Sequence, residues 1–173
     1  HYSLDCYGYY NRVMGATEWV TVINGKELVV YLGQISNLLA PQSFHAMKVS
    51  FANALARLSE TVGADADGVT RVLSLDPRIG AGHLRAGLGF GGSCLPKDVA
   101  AVEHLARRAD ANADLFSAVL RVNRDQRSRV VDHLIGRFGS LAGRRIAILG
   151  VAFKAGTDDV RDSAAVALAQ QLL

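Results

Sequence analysis

The stretch Phe44-His45-Ala46-Met47-Lys48-Val49-Ser50-Phe51-Ala52-Asn53-Ala54-Leu55-Ala56-Arg57-Leu58 decides the class of the fold. Phe44, Met47, Phe51, Leu55 and Leu58 recur at intervals of three and four, which puts them on one face of a helix. Gly63 is a natural C-terminal stop for that helix. Lys48 falls on its solvated face. A shorter helix follows from about 67 to 75 and ends at Asp76-Pro77, because the residue before a proline is driven out of the helical region. Helical pattern resumes near Pro96, whose fixed φ suits a first turn, and runs to about Arg108. A longer helix covers about 114 to 138, with Leu115, Val119, Val122, Val130 and Leu134 on its buried side.

The flanks have a different texture. Residues 139–145 read as a linker. Ile146-Ala147-Ile148-Leu149-Gly150 then reads as a buried parallel-type strand, with a turn at Gly150 and a helix from about Ser163. That is the opening β-α unit of a nucleotide-binding sheet. The first 40 residues hold four of the five Tyr within ten positions and the only Trp. Residues 19–32 alternate around Asn24-Gly25 as a β-hairpin would, although Asn-Gly also suits an ordinary loop. The expected class is α+β: an atypical head (1–40), a mainly helical central domain (41–138), and the start of an α/β domain with a Rossmann-like unit (139–173).

Composition narrows the classes of function. The chain has 173 residues, 50% of them apolar and 20% charged, which excludes a disordered or low-complexity polypeptide. Nineteen Lys and Arg against sixteen Asp and Glu leave a mild, scattered excess of +3, so no nucleic-acid partner is indicated. No apolar run approaches the roughly 18 to 20 residues that span a bilayer. Cys6 and Cys94 lie far apart without metal-ligand spacing, so no metal site is read, and a reducing, cytoplasmic setting is expected. The chain opens at His1 and stops within the apolar run at Leu172-Leu173, and it reads as a piece of a longer protein.

Chemistry concentrates after a run of six glycines between residues 80 and 92. In Gly89-Phe90-Gly91-Gly92-Ser93-Cys94-Leu95-Pro96-Lys97-Asp98 a thiol sits between a glycine turn and a helix start, with an ammonium three positions on. Helix N-terminal N–H groups and Lys97 both favour a thiolate, the nucleophilic form of cysteine. The pattern alone is equally that of a small buried cysteine beside a loop.

That stretch resembles the active-site signature of the nucleotide-sugar 6-dehydrogenases, the UDP-glucose/GDP-mannose dehydrogenase family. Two further segments are similar to the same family in the same order: residues 44–53, and Leu149-Gly150-Val151-Ala152-Phe153-Lys154-Ala155-Gly156-Thr157-Asp158-Asp159-Val160-Arg161-Asp162-Ser163. The resemblance implies a four-electron oxidation at sugar C6, with NAD as hydride acceptor and Cys94 as covalent nucleophile. It gives Asp98 to the catalytic hydrogen-bond network, and Lys97, Lys154 and Arg161 to the cofactor. It gives His45, Asn53, Arg85, Gly91 and Phe153 to the substrate, and Arg78 to the partner subunit's substrate. It further implies a homodimer through the central helices.

Among the family's sugar nucleotides, His45 after Phe44, Leu95 after Cys94 and the run 154–159 look closer to the GDP-mannose enzymes. UDP-glucose is the alternative. The sequence also departs from the family. Leu38 and Gln42 stand where the family carries Lys and Asn, and leucine cannot move a proton. A frameshifted or spliced-in head would account for this, and the chain by itself is expected to lack turnover. No G-x-G-x-x-G is read anywhere in the chain, and the N-terminal cofactor domain is expected to be missing. Two rivals are a non-catalytic dimerising remnant and a β-hydroxyacid dehydrogenase of similar helical build that needs no reactive cysteine.

Overall fold

Small side chains decide which face of the first helix turns inward. The computed structural model describes residues 39–173, with five helices among them: α1 (Ala40–Val62), α2 (Ala66–Leu75), α3 (Leu95–Arg108), α4 (Asp114–Phe138) and α5 (Ala164–Leu172). The hairpin expected at 19–32, Cys6 and Leu38 lie outside the described residues. Local chemistry sets the helix ends. Pro41 lies in the first turn of α1, and Gly63 closes that helix in the left-handed region at φ 72°. Asp65 caps α2 by accepting the Asp67 N–H, and the helix stops at Asp76, before Pro77. Cys94 is the N-cap of α3, with Pro96 in its first turn. Ser163 caps α5, its Oγ accepting the Val166 N–H and donating to the Val151 carbonyl.

Helix α1 packs on α2, α3 and α4, α3 on α4, and α5 on α4. Its buried positions include Ser43, Ala46, Ser50, Asn53, Ala56 and Ser59, three or four residues apart. Such a face lets α4 come close enough for Ser50 Oγ to donate to the Val119 carbonyl at 3.0 Å. The large apolar side chains lie outside: Phe44, Phe51 and Leu58 are 54%, 51% and 57% exposed. The apolar stripe is a true helix face, but the core face is the small one beside it. The core joins Ala46, Phe90, Val99 and Val119, with Met47, Leu95, Phe116 and Leu120 packed around them.

Three sequence expectations are corrected. Lys48 is only 9% exposed; its Nζ donates to the Ile79 and Gly80 carbonyls at 3.0 and 2.9 Å, which replace the water a lysine usually keeps. Leu115 is 56% exposed, because the first turn of α4 stands at the rim of a shallow apolar hollow shared with Phe44 and Met47. Residues 146–150 form no ladder among the described residues, and Leu149 is 95% exposed. A strand needs a neighbour for its N–H and C=O groups. The α+β class is therefore seen in its helical part alone. No helix among the described residues is long and apolar enough to cross a membrane.

The glycine loop is fixed from within. Phe90 reaches the core, and Asn123 of α4, 5% exposed, grips the Phe90 backbone on both sides. Asn123 Oδ1 accepts the Phe90 N–H at 2.7 Å, and Asn123 Nδ2 donates to the Phe90 carbonyl at 3.0 Å. Asn123→Ala leaves two buried backbone groups without partners and should cost about 2 to 4 kcal/mol. The midpoint of urea unfolding, followed by circular dichroism, checks this. An unchanged midpoint would show that the amide holds nothing.

Candidate active site

Cys94 reaches the surface because the glycine turn delivers it to the start of α3, where the chain changes direction. It lines a cleft of about 840 Å³ between that turn and residues 153–161. Gln42, His83, Gly91, Gly92, Phe153, Lys154, Thr157 and Arg161 share the wall. Ser93 Oγ lies 3.7 Å from Cys94 Sγ.

Two glycines make the seam. A Cβ on Gly91 would fall 2.2 Å from the Asp162 carbonyl oxygen, and one on Gly92, at φ 82°, would strike the Phe153 ring at 2.7 Å. The Gly92 N–H donates to the Arg161 carbonyl at 2.9 Å. The room these glycines leave is thus filled by the protein's own 153–162 segment. Gly87, Gly89 and Gly92 also fit the spacing G-x-G-x-x-G. No strand precedes them among the described residues, so the letters carry no dinucleotide-binding turn.

The cations are pre-oriented. Arg161 forks onto Asp159, with Nη2 to Oδ2 at 2.6 Å and Nε to Oδ1 at 3.0 Å, and its backbone N–H also reaches Oδ1. The Arg161 side chain and backbone bonds pull the Asp159 carboxyl down to about 2. Lys154 Nζ sits over the Phe153 ring, 5.5 Å from its centre. Lys97 and Asp98 pair with each other in the first turn of α3, Nζ to Oδ1 at 2.6 Å, with the carboxylate side nearly buried. Neither is among the residues lining the cleft.

The remaining sequence candidates divide between packing and surface. Asn53 is 1% exposed; its Oδ1 accepts the Gly87 N–H at 2.8 Å, and its Nδ2 has no hydrogen-bond partner among the described residues. Arg78 is forked onto Asp76, an exposed pair away from the cleft wall, and Arg85 is exposed. His45 lies outside the wall but stacks on His83, which lines it, with ring centres 4.3 Å apart. The structure therefore brings Cys94, Gly91, Phe153, Lys154 and Arg161 together on one cleft, while His45, Asn53, Arg78, Arg85, Lys97 and Asp98 are not among its lining residues. Sequence reading missed His83 and Asn123. A histidine within a glycine run, and an asparagine four residues after the buried Val119, were the available signals.

Residues 38–125 match the central domain of the UDP-glucose/GDP-mannose dehydrogenase family. A UDP-glucose 6-dehydrogenase of Bacillus subtilis is 37% identical over 152 residues, 88% of this chain and 33% of that protein. A UDP-glucose 6-dehydrogenase of Haloferax volcanii is 47% identical over 134 residues, 78% of this chain and 31% of that protein. The structure of a UDP-glucose dehydrogenase from Pyrobaculum islandicum superposes with a TM-score of 0.75 at 42% identity, covering 78% of this chain and 31% of the other. The chain spans about a third of the length of these relatives.

The histidine stack has a defined response to pH. Burial, then His83, then Lys48 lower the His45 pKa below its ordinary 6.5. A histidine that resists protonation when folded leaves stability intact above about pH 6.5 and weakens it as pH falls through that value. In an NMR titration the His45 ring should protonate below pH 6.5, and its midpoint should rise in His83→Ala. A midpoint at or above 6.5 in the unaltered chain would contradict the stacked geometry.

Proposed function

The chain belongs to the UDP-glucose/GDP-mannose dehydrogenase family, and from that premise we propose that it carries the covalent centre of an NAD-dependent nucleotide-sugar 6-dehydrogenase, with Cys94 as nucleophile. One observation supports this most: the cysteine stands at a helix start and opens into a cleft that also holds Lys154 and Arg161. A helix N-terminus and two cations suit an anionic ligand such as a nucleoside diphosphate sugar.

The proposed chemistry divides a difficult oxidation into covalent stages. The C6 alcohol first loses a hydride and a proton to give the aldehyde. Cys94 Sγ, as thiolate, adds to the aldehyde carbon, and the oxygen takes up a proton to give a thiohemiacetal. Loss of that proton and of a second hydride from the carbon leaves a thioester. Water then cleaves the thioester, releasing the uronic acid and restoring the thiol. NAD supplies the hydride acceptor when bound. Lys154 and Arg161 fit its phosphates by charge and by their place on the cleft wall, and Lys97, paired with Asp98 in the first turn of α3, is the third cofactor candidate. The nearly buried Asp98 would act from behind Cys94, holding Lys97 and the first turn of α3.

For the sugar nucleotide we favour UDP-glucose, the substrate named in the two relatives at 37% and 47% identity. GDP-mannose is the second reading, carried by His45, Leu95 and the 154–159 run. Internal packing accounts for part of that signal: Leu95 packs on the core cluster, and His45 stacks on His83. A cytoplasmic biosynthetic setting suits such a substrate.

The exposed Phe44, Phe51, Leu58 and Val62 on α1 suit a homodimer through the central helix. Phe51→Glu with Leu58→Glu should convert the self-associated chain to a monomer by light scattering at micromolar concentration. A wild-type chain already monomeric there would end the dimer reading.

In a complete enzyme carrying this segment, Cys94→Ser should abolish uronic-acid formation while substrate and NAD still bind by calorimetry. Serine keeps the size, but its hydroxyl is a far weaker nucleophile and forms no thioester. Wild-type uronic-acid output from that variant would remove Cys94 from the mechanism.

A further inference from the structure

The loop from Asp76 to the glycine turn contains no helix or strand of its own, yet it carries His83 to the cleft. Side chains of α1 hold it at three places. Lys48 Nζ donates to the Ile79 and Gly80 carbonyls at 3.0 and 2.9 Å. The His45 ring stacks on His83, whose backbone sits in the left-handed region at φ 65°. Asn53 Oδ1 accepts the Gly87 N–H at 2.8 Å.

Of these three ties, only the lysine brings a charge. An ammonium 9% exposed must be hydrogen-bonded to remain there, and charge-assisted bonds to carbonyls are stronger than neutral ones. Two adjacent carbonyls gripped by one cation fix both the position and the direction of the turn at 79–80. Three residues later the chain places His83 in its unusual backbone conformation against the cleft. Lys48 is not among the residues lining that cleft, so it acts on the site through the loop.

We propose that Lys48 is a positioning residue for the nucleotide-sugar site, its ammonium setting where the 76–87 loop presents His83 to the substrate. The inference rests on the function proposed above. Lys48→Met keeps the stem and removes the donors; Lys48→Arg restores a cation with donors for both carbonyls. In the 173-residue chain, Lys48→Met should speed hydrogen exchange at the 79–87 amides while α1 and α4 keep their protection. In the complete enzyme it should raise KM for the nucleotide sugar about tenfold, with a smaller change in kcat and none in KM for NAD. Lys48→Arg should recover most of both effects.

Should Lys48→Met disturb α4 as well, Lys48→Gln, which keeps one donor group of similar reach, replaces it and should show the same effects at smaller size. Unchanged loop exchange, an unchanged sugar KM, an equal rise in KM for NAD, or failure of Lys48→Arg to restore the sugar KM would each overturn the inference. A wild-type enzyme that oxidises no nucleotide sugar would instead sink the functional reading, and this inference with it. A wild type that does so, with a Lys48→Met variant of normal sugar KM, sinks the inference alone.

Discussion

Everything at the cleft depends on a buried amide meeting a backbone. Asn123 gives the Phe90 N–H an acceptor and the Phe90 carbonyl a donor, while the Phe90 ring enters the core. A glycine-rich loop has little reason to hold one shape, because each glycine has many conformations to lose. One residue tied at its backbone and anchored by its ring removes most of that freedom. Cys94 follows four positions later, at a helix start whose own position is set by Val99 in the same core. The Cys94 thiol is thus placed by the packing of α1, α3 and α4.

The helices were legible in the sequence and their orientation was not. The end of α1 and the bounds of α2, α3 and α4 follow from Gly63, Pro77 and Pro96 and from apolar spacing, because stops and caps are local chemistry, whereas α1 begins at Ala40, before the Phe44 from which its period was read. Which face of α1 turns inward is a tertiary matter. Ser43, Ala46, Ser50 and Asn53 carry weak hydrophobic signals, and their value lies in letting backbones approach. Periodicity weighs side chains by size, so it found Phe44, Phe51 and Leu58 instead. Lys48 was misplaced for the same reason, since its partners are carbonyls in a loop more than 30 residues away. Nothing local marks them.

Cys94, Lys154 and Arg161 were legible in the sequence as site candidates, and how they are held was less so. Cys94, Lys154 and Arg161 stand in recognisable motifs and meet in one cleft. The resemblance gives Gly91 to the substrate. Gly91 and Gly92 instead admit Asp162 and Phe153, so they join the glycine turn to the 153–162 segment. This junction makes the cleft a property of two chain segments about sixty residues apart. A change at Phe153 would act on the shape of the cleft as well as on any contact made there.

Arg78 and Arg161, which the resemblance gives to a partner's substrate and to the cofactor, share a device that the sequence spells out. In Asp76-Pro77-Arg78 and in Asp159-Val160-Arg161 the aspartate accepts the arginine backbone N–H two residues on and a fork from its guanidinium. The backbone bond sets the turn, and the fork then fixes the plane of the guanidinium. For Arg161 the turn is itself tied to the glycine loop through the Gly92 N–H, so the cation is held in register with Cys94. Arg78 has the same local geometry on a loop gripped by Lys48, and its side chain stands 88% exposed. Identical wiring therefore yields one cation turned into this chain's own cleft and another turned out.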